Sequence, residues 1–358
     1  MEQNHIFNFK TYTEQLKRIY NVCGWKYEKS LAKDAIADCL RWYSYDFLMY
    51  GYIHKMESND KFKIFLEKPE YFILFFKISR KVGDELFPFV KQIESHLASS
   101  ITYILGAEKD IQKNNGHIHK DNTIDFFRKI TVCDDKHIGF LINKLVTDLQ
   151  NHSHGIWFDR FRQENPTFNE EKDINLNEIN IFLWPRLLSF SASTRLFRDM
   201  NEEYQNRVIS NFYESSGKSN KNFNMMLDFL VKFRNYLAHG DASCFVDEEM
   251  LYQGRKDMDE IKTRRAINDI IGVKQMLGLA TNDTINNYSI DIVFFINIID
   301  SLYFTRNYEH TVFSTVGDAI AGAKEMNGLV YSLPEKEADA IIEKILIVFT
   351  GNAYKRTI

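Results

Sequence analysis

Apolar residues recur every three to five positions along most of this 358-residue chain, with polar residues between them. That spacing places apolar side chains on one face of an α-helix, so it predicts amphipathic helices. The chain is therefore predicted to be all-α. The stretches that carry the pattern are Glu14–Tyr20, Leu31–Tyr52, Phe72–Leu105, Pro185–Met200, Phe223–His239, about Tyr288–Tyr303 and a final helix opened by Pro334.

Prolines and one glycine mark the predicted helix ends. Pro88 interrupts the longest apolar pattern, because a proline within a helix removes a hydrogen-bond donor and clashes with the preceding turn. Pro185 and Pro334 stand where helices are predicted to begin, a position that favours proline. Gly240 follows the helix that ends at His239, and glycine commonly ends helices. Polar stretches predict surface loops at Lys113–Asn122, Arg162–Glu178 and Ser215–Asn222.

The composition agrees with a helical fold. The chain has 16 Gly and 5 Pro, whereas ordinary proteins have roughly 7% and 5% and an all-β sandwich or barrel needs frequent turn residues. Hydrophobic residues make up 44%, enough to fill a large core, which excludes a disordered chain and a disulfide-stapled mini-protein. The formal charge of −4 excludes a strongly basic nucleic-acid coat protein but is compatible with a local basic groove.

The sequence indicates a cytoplasmic protein that has no membrane partner. The N-terminal stretch MEQNHIFNFKTY lacks the basic and apolar regions of a secretory signal. The longest apolar runs, Tyr71–Phe76 and Ile292–Ile299, are far shorter than the roughly 18 residues that a spanning helix needs. No CxxC motif is present, so reduced thiols are expected, with a catalytic cysteine as the minor alternative. The four cysteines are Cys23, Cys39, Cys133 and Cys244.

Several familiar site motifs are absent or incomplete, so we expect no cofactor and no metal. Ser216–Ser219 reads SGKS, but Phe212 occupies the position where a phosphate-binding loop needs a glycine. Two HxH pairs lie in polar stretches without an obvious further ligand, whereas zinc needs three or four ligands held by rigid elements. They are interpreted as solvated loop histidines. The pairs are His117/His119 and His152/His154.

The strongest candidate for chemistry is RNYLAH, Arg234 to His239, at the end of a predicted helix. Asn235 and His239 are four residues apart and share a helix face, so the amide could orient the imidazole. Arg234 lies about 140° around the helix from His239. Two copies of the site, related by a two-fold axis, would surround one phosphate with two Arg and two His side chains. The alternative interpretation is an interfacial arginine paired with a carboxylate and a histidine that caps the helix.

Two blocks stand out around this motif: IFLWPRLLSFSASTRLFRDM is followed, after a spacer, by MLDFLVKFRNYLAHGD. This most specific block resembles the bacterial abortive-infection Abi-like family of the AbiD/AbiF type, in which the arginine–histidine motif is that of HEPN ribonucleases. SRKVGDELFPFVKQIESHLASSITYIL is similar to an earlier family helix that ends in an Ile-Glu pair, here Ile93 and Glu94. LRWYSYDFLMYGY matches more loosely. The chain departs from the family pattern at Ala98, where an arginine is usual, and at Gly240, where a second histidine is common.

The resemblance implies a HEPN-like helical bundle with N-terminal and C-terminal helical extensions. We expect an N-terminal helical segment over 1–65, a HEPN-like core over 66–245 and a C-terminal extension over 246–358. The implied activity is RNA cleavage in a homodimer, without a metal. His239 would act as general base or acid, Arg234 would bind the phosphate, Asn235 would fix the histidine ring, and Glu94 would orient Arg234. The alternative for Glu94 is a surface carboxylate.

A basic groove is also expected to hold the RNA. The stretch GRKDMDEIKTRR follows the motif closely and supplies basic side chains, with Tyr252 as a stacking aromatic. A solvated helix face with mixed charge, balanced by Asp257, Asp259 and Glu260, is the alternative. The candidate basic residues are Arg255, Lys256, Lys262, Arg264 and Arg265, with Arg186, Arg195 and Arg198 on the helix that Pro185 opens.

Three functions remain open from the sequence. The first is a toxin-like phage-defence endoribonuclease. The second is a non-catalytic binder of a structured small RNA, which would also serve as its RNA antitoxin. The third is a HEPN partner of a nucleotidyltransferase. Fold-level analogy alone does not separate them.

Overall fold

All regular elements in the described part of the chain are helices, which confirms the all-α prediction; the only strand-like pairing there is an isolated antiparallel bridge between Thr131 and Met200. The computed structural model describes residues 11–27, 31–119, 122–151, 179–212, 220–238, 271, 273–275, 277, 292–302, 312–322 and 333–350. A HEPN-like arrangement of these helices stays a prediction. None of the helices in these ranges is both long enough and apolar enough to cross a membrane.

The first half of the described chain is built around one long helix, α6. Before it, a π-helical turn, Met49–Ile53, joins α3 to α4, and a 3-10 turn, Ile64–Leu66, follows α5. The helices are α1 (Tyr12–Val22), α2 (Leu31–Trp42), α3 (Tyr45–Leu48), α4 (His54–Glu57), α5 (Asp60–Lys63), α6 (Pro69–Gly106), α7 (Lys109–Lys113), α8 (Thr123–Ile130) and α9 (Asp135–Asn151).

The second half begins with a 3-10 turn, Ile181–Leu183, and contains shorter helices. They are α10 (Trp184–Leu187), α11 (Phe190–Asp199), α12 (Glu202–Phe212), α13 (Asn220–Ala238), α14 (Ile292–Leu302), α15 (Val312–Ala321) and α16 (Glu335–Thr350). Helices α13, α14 and α16 lie where the sequence predicts helices. Helix α13 begins at Asn220, three residues before the predicted start and inside the predicted loop Ser215–Asn222. The predicted loop Arg162–Glu178 lies outside the described residues.

Pro88 does not end a helix, contrary to the interruption expected from the sequence. Helix α6 is 38 residues long and continues through Pro88. It begins at Pro69, not at Phe72. Pro69 occupies the first turn, where its missing donor is not needed. Packing on many sides explains the continuity, because a buried helix gains enough apolar contact to tolerate one missing hydrogen bond.

Two stretches predicted as single helices are each divided by a serine that caps the next helix. Ser44 separates α2 from α3, and its side chain accepts a hydrogen bond from the Phe47 amide at 3.2 Å. Ser189 separates α10 from α11 and accepts from the Ala192 amide at 3.2 Å, while its own amide donates to Asp148 Oδ2 at 2.6 Å. A serine that satisfies the free amides of a first turn favours a new helix start over continuation.

Helix α6 is the central element of the fold. It contacts α2 from the N-terminal part, α10 to α13 from the middle of the chain, and α14 and α15 from the C-terminal part. Aromatic rings fill its first half: Phe75 stacks on Phe65 at 4.6 Å between ring centroids and also lies 6.0 Å from Phe349 of α16. Buried residues from all three parts of the chain thus form one hydrophobic cluster around α6.

The turn after α7 depends on a glycine. Gly116 has φ +87°, in the region that favours glycine, and its carbonyl accepts from the Ile181 amide at 2.8 Å. A Cβ atom on Gly116 would lie 2.6 Å from the side-chain atoms of Asn180. Within the loop that the sequence predicts at Lys113–Asn122, residues 114–116 form a tight turn, which binds the start of the 3-10 turn at Ile181.

Candidate functional site

Arg234 lies four residues before the end of α13 and contacts Glu94 from the C-terminal half of α6. Its Nε atom is 3.4 Å from Glu94 Oε2, and the two side chains are 28% and 11% exposed. Nε is buried and makes no hydrogen bond to any described residue, so this contact is an ion pair without good hydrogen-bond geometry. Two residues that are 140 positions apart are thus brought together by the packing of α13 on α6.

Glu94 is a buried carboxylate, so its alternative interpretation as a surface carboxylate is wrong. The residue is 8% exposed. The same oxygen that faces Arg234 also accepts a hydrogen bond from Lys91 Nζ at 2.7 Å. One carboxylate between two cations leaves a local charge of +1, which favours an anionic ligand. Sequence reasoning missed Lys91, although its position three residues before Glu94 on one helix face was a usable signal.

Aromatic packing against α14 fixes the C-terminal part of α13. Phe233, the residue before Arg234, is fully buried and stacks on Phe295 of α14 with ring centroids 4.3 Å apart and planes at 9°. Leu230, one turn earlier, is also fully buried. The apolar face of α13 packs against α14 and α6. This packing fixes the position of the neighbouring Arg234 along α6.

Asn235 lies beside Arg234 on the exposed side of α13. Its Oδ1 atom accepts a weak hydrogen bond from Arg234 Nη1 at 3.4 Å. His239 lies just outside the described residues, so the orientation of its ring by Asn235 stays a prediction. The predicted RNA-contacting residues of the basic stretch and Tyr252 also lie outside the described residues: Tyr252, Arg255, Lys256, Lys262, Arg264 and Arg265.

Arg195 and Arg198 lie on α11, while Arg186 belongs to the separate helix α10, so the three do not share the single helix expected. The Arg195 guanidinium carbon lies 5.7 Å from the ring centroid of Phe140, and Lys144 Nζ lies 5.7 Å from the same ring. Phe140 is 50% exposed. Arg198 instead faces Asp199, with Nε 3.7 Å from Oδ1. Within the described ranges, no hydrogen bond or ion pair joins Arg195 or Arg198 to the Glu94–Arg234 pair.

His96 is the described histidine closest in sequence to Glu94, and its ring is engaged elsewhere. Its Nε2 atom lies 3.1 Å from the Asn211 carbonyl, and the ring packs edge-on against Phe212 at 4.4 Å. His96 therefore serves the contact between α6 and α12. Where metal ligands are concerned, neither Glu94 nor Arg234 belongs to the one group of potential ligands in the described ranges, which is Cys133, His137 and Asp199.

Comparison with known proteins identifies the family. Neither the curated proteins nor the solved structures gave a match. The family model for Abi-like proteins matches residues 38–242, which is more than half of the chain. The matched region contains α6 with Glu94 and α13 with Arg234, together with the motif through His239. The chain belongs to the family of Abi-like proteins.

Proposed function

We propose that this protein is a toxin-like endoribonuclease of phage defence that cuts RNA at a site built around Arg234 and His239. Membership of the Abi-like family suggests a role in abortive infection, the defence in which an infected cell stops growing. The observation that carries the ribonuclease proposal is the contact between Arg234 and the buried Glu94. Arg234 lies near the end of a helix, and Glu94 contacts one side of its guanidinium. The remaining donors of the guanidinium are suited to bind a phosphate.

The fixed position of the guanidinium suits it to phosphate chemistry. Glu94 and Arg234 are mostly buried, so water screens their attraction less than at an open surface. Lys91 neutralises Glu94 as well, which leaves the charge of Arg234 available for a ligand. The exposed 28% of the Arg234 side chain is the part that an RNA phosphate would reach.

Cleavage would follow the chemistry of RNA itself. The ribose 2′-oxygen attacks the adjacent phosphorus, the bond from phosphorus to the 5′-oxygen breaks, and the products carry a cyclic phosphate and a 5′-hydroxyl. His239 takes the 2′-hydroxyl proton or gives a proton to the leaving oxygen, since imidazole titrates near neutral pH. Arg234 stabilises the charge that grows on the phosphorane oxygens. Asn235 holds the histidine ring. No metal ion takes part in these steps.

A dimer would complete the site. One chain supplies one arginine and one histidine, whereas the reaction needs both a base and an acid. A two-fold axis through the end of α13 would bring the motifs of two chains to one scissile phosphate. The partly exposed Phe140, flanked by Arg195 and Lys144, is suited to hold a more distant part of the RNA by stacking and charge.

The test is cleavage of total RNA by purified protein, with Arg234→Ala and His239→Ala as variants. We expect the first to slow cleavage about 100- to 1,000-fold and the second about 100- to 10,000-fold, with loss of growth toxicity in both. Arg41→Ala is the matched control, because Arg41 is an exposed arginine on α2 that pairs with Asp38. Circular dichroism checks that the variants remain folded.

The outcomes separate the three candidate functions. Full cleavage by folded His239→Ala protein would contradict the proposal, as would product ends other than a cyclic phosphate and a 5′-hydroxyl. RNA that co-purifies with the wild type but is never cut would indicate a non-catalytic binder of a small RNA. A stable complex with a nucleotidyltransferase in the absence of RNA would indicate the partner role.

A further inference from the structure

The side chains of Cys133, His137 and Asp199 converge on one point, and neither Glu94 nor Arg234 belongs to this group. Their potential ligand atoms, one sulfur, one nitrogen and one oxygen, all lie within 4.8 Å of one another. We propose that these three residues bind one Zn²⁺ ion, which joins the turn between α8 and α9 to the end of α11. This metal site is independent of the proposed ribonuclease and departs from the expectation of no metal.

Backbone hydrogen bonds hold Cys133 and Asp199 in a fixed relation. The Val132 amide donates to the Asp199 carbonyl at 3.1 Å, and the Asn201 amide donates to the Ile130 carbonyl at 2.8 Å. Thr131 and Met200 form the isolated antiparallel bridge between them. The two segments therefore pair like a short piece of sheet, with a cysteine at the end of one and an aspartate at the end of the other.

His137 is placed by the first turn of α9. Asp134 caps this helix: its Oδ1 atom accepts from the His137 amide at 2.8 Å, and its carbonyl accepts from the Ile138 amide at 2.8 Å. The backbone of His137 is thus fixed, and its side chain, 52% exposed, faces Asp199. A Cys-x3-His spacing at a capped helix start supplies two ligands from one rigid turn.

A buried carboxylate oxygen points to a missing ligand. Asp199 is 9% exposed, and its Oδ2 atom accepts no hydrogen bond from any described residue. His137 Nε2 lies 3.5 Å from this oxygen. A buried charged oxygen without a hydrogen bond is unfavourable, and a metal ion between Oδ2 and Nε2 would satisfy both atoms. Arg198, 3.7 Å from the other oxygen, would orient the carboxylate as a neighbour of the site.

The donor set identifies the class of metal. A thiolate, an imidazole and a carboxylate together favour Zn²⁺ over the oxygen-seeking Mg²⁺ and Ca²⁺. Ligand atoms around tetrahedral Zn²⁺ are roughly 3.3–3.6 Å apart, given bond lengths of about 2.0–2.3 Å. His137 Nε2 and Asp199 Oδ2 already have this spacing, at 3.5 Å. The three ligand atoms lie within 4.8 Å of one another, so binding would draw the side chains together by about 1 Å. A water molecule would fill the fourth position on the open side of His137.

The experiment uses the full chain after removal of metal with a chelator. Titration with Zn²⁺ in competition with a chromophoric indicator is expected to show about one tight site per chain. Cys133→Ser, His137→Gln and Asp199→Asn should each weaken that site at least about tenfold. Cys23→Ser and His54→Gln are the matched controls, because Cys23 is a second half-buried thiol and His54 pairs with Glu57 on α4. Both should bind like the wild type.

A spectroscopic measurement keeps the proposal testable if a variant does not fold. Co²⁺ bound to wild-type protein is expected to show a thiolate-to-cobalt absorption band and the visible bands of a tetrahedral site. A wild-type protein that binds no Zn²⁺, a Co²⁺ spectrum without the thiolate band, or a folded Cys133→Ser protein with unchanged affinity would overturn the proposal. Loss of RNA cleavage in a Zn²⁺-binding protein would leave this site standing and count against the ribonuclease alone.

Discussion

The guanidinium of Arg234 meets the carboxylate of Glu94, with Nε 3.4 Å from Oε2, although one residue lies near the end of α13 and the other in the C-terminal half of α6. The position of the arginine is therefore set by helix packing and does not depend on the motif alone. Any change that shifts α13 along α6 would move Arg234 relative to its carboxylate. Glu94 is accordingly expected to act as a positioning residue in the proposed reaction.

Replacement of Glu94 by Gln tests this role. The amide keeps the shape of the side chain but no longer attracts Arg234, so we expect kcat for RNA cleavage to fall about 10- to 100-fold while KM changes little. Glu94→Asp should restore part of the rate, because the charge returns. Glu67→Gln, at an exposed carboxylate before α6, is the control. An unchanged kcat in Glu94→Gln would remove Glu94 from the proposed site.

Phe233→Ala tests the support of the motif helix. The variant removes the ring that stacks on Phe295 at 4.3 Å and leaves a cavity, which should lower the free energy of unfolding by about 3–5 kcal/mol. Tyr103→Ala, at a 73% exposed ring on α6, should change it by less than about 0.5 kcal/mol. Urea denaturation followed by circular dichroism measures both. Equal effects of the two changes would contradict the packing described for α13.

Two glycine-to-alanine changes should have opposite effects. Gly116→Ala places a methyl group 2.6 Å from Asn180 at a φ of +87°, and we expect a loss of about 1–3 kcal/mol. Gly139→Ala, within α9, meets nothing within 4 Å, so it should stabilise the protein by about 0.5–1 kcal/mol. Thermal unfolding of the two variants gives the comparison. A destabilised Gly139→Ala protein would mean that α9 is packed more tightly than described.

Glu108 should make the protein less stable in acid. Burial would raise the pKa of Glu108, but hydrogen bonds from Lys129, Tyr204 and Arg207 outweigh it and hold the pKa below its usual range. A carboxyl with a lowered folded-state pKa stabilises the protein above its unfolded pKa, and this stabilisation is lost as the pH falls through the folded value.

Glu108→Gln should therefore destabilise the protein at neutral pH by about 1–3 kcal/mol and flatten the fall in melting temperature below about pH 4. Glu67→Gln is again the control, since Glu67 is exposed. A parallel acid profile for wild type and Glu108→Gln would show that other carboxyls cause the acid sensitivity.

Phe140→Ala tests the proposed hold on RNA. Loss of the half-exposed ring between Arg195 and Lys144 should weaken RNA binding by about 1–3 kcal/mol for a stacked base and leave stability unchanged. Trp42→Ala, at an 84% exposed ring on α2, should bind RNA like the wild type. Fluorescence anisotropy at several salt concentrations measures the affinities. Equal binding by Phe140→Ala would place the RNA on another surface.

Local sequence rules predict the helices well and their divisions less well. The apolar spacing located α13, α14 and α16, because each has one continuous buried face. It did not show the breaks at Ser44 and Ser189, since a serine cap competes with helix continuation only by a small free energy. It predicted an interruption at Pro88 that does not occur, because the burial of α6 around Pro88 is a property of the whole fold.

The candidate site was predicted in part. Arg234 and Glu94 were proposed from motif and resemblance, and the structure places them in contact. Lys91 was not proposed, although its position three residues before Glu94 places it on the same helix face. Asp199, in contrast, lies 66 positions after Cys133, so no local pattern could bring the carboxylate to the cysteine and histidine. Only the pairing of the segments around Thr131 and Met200 reveals that juxtaposition.

Helix α6 is about 57 Å long at 1.5 Å per residue, and it is touched by helices from each part of the described chain. Truncation of the chain from either end would therefore remove helices that pack on α6, the helix that carries Glu94. Limited proteolysis should accordingly yield no small active fragment, because each cut within the covering helices exposes the aromatic side of α6 to water. Activity is therefore expected to need the whole fold and to be lost when any part of it is removed.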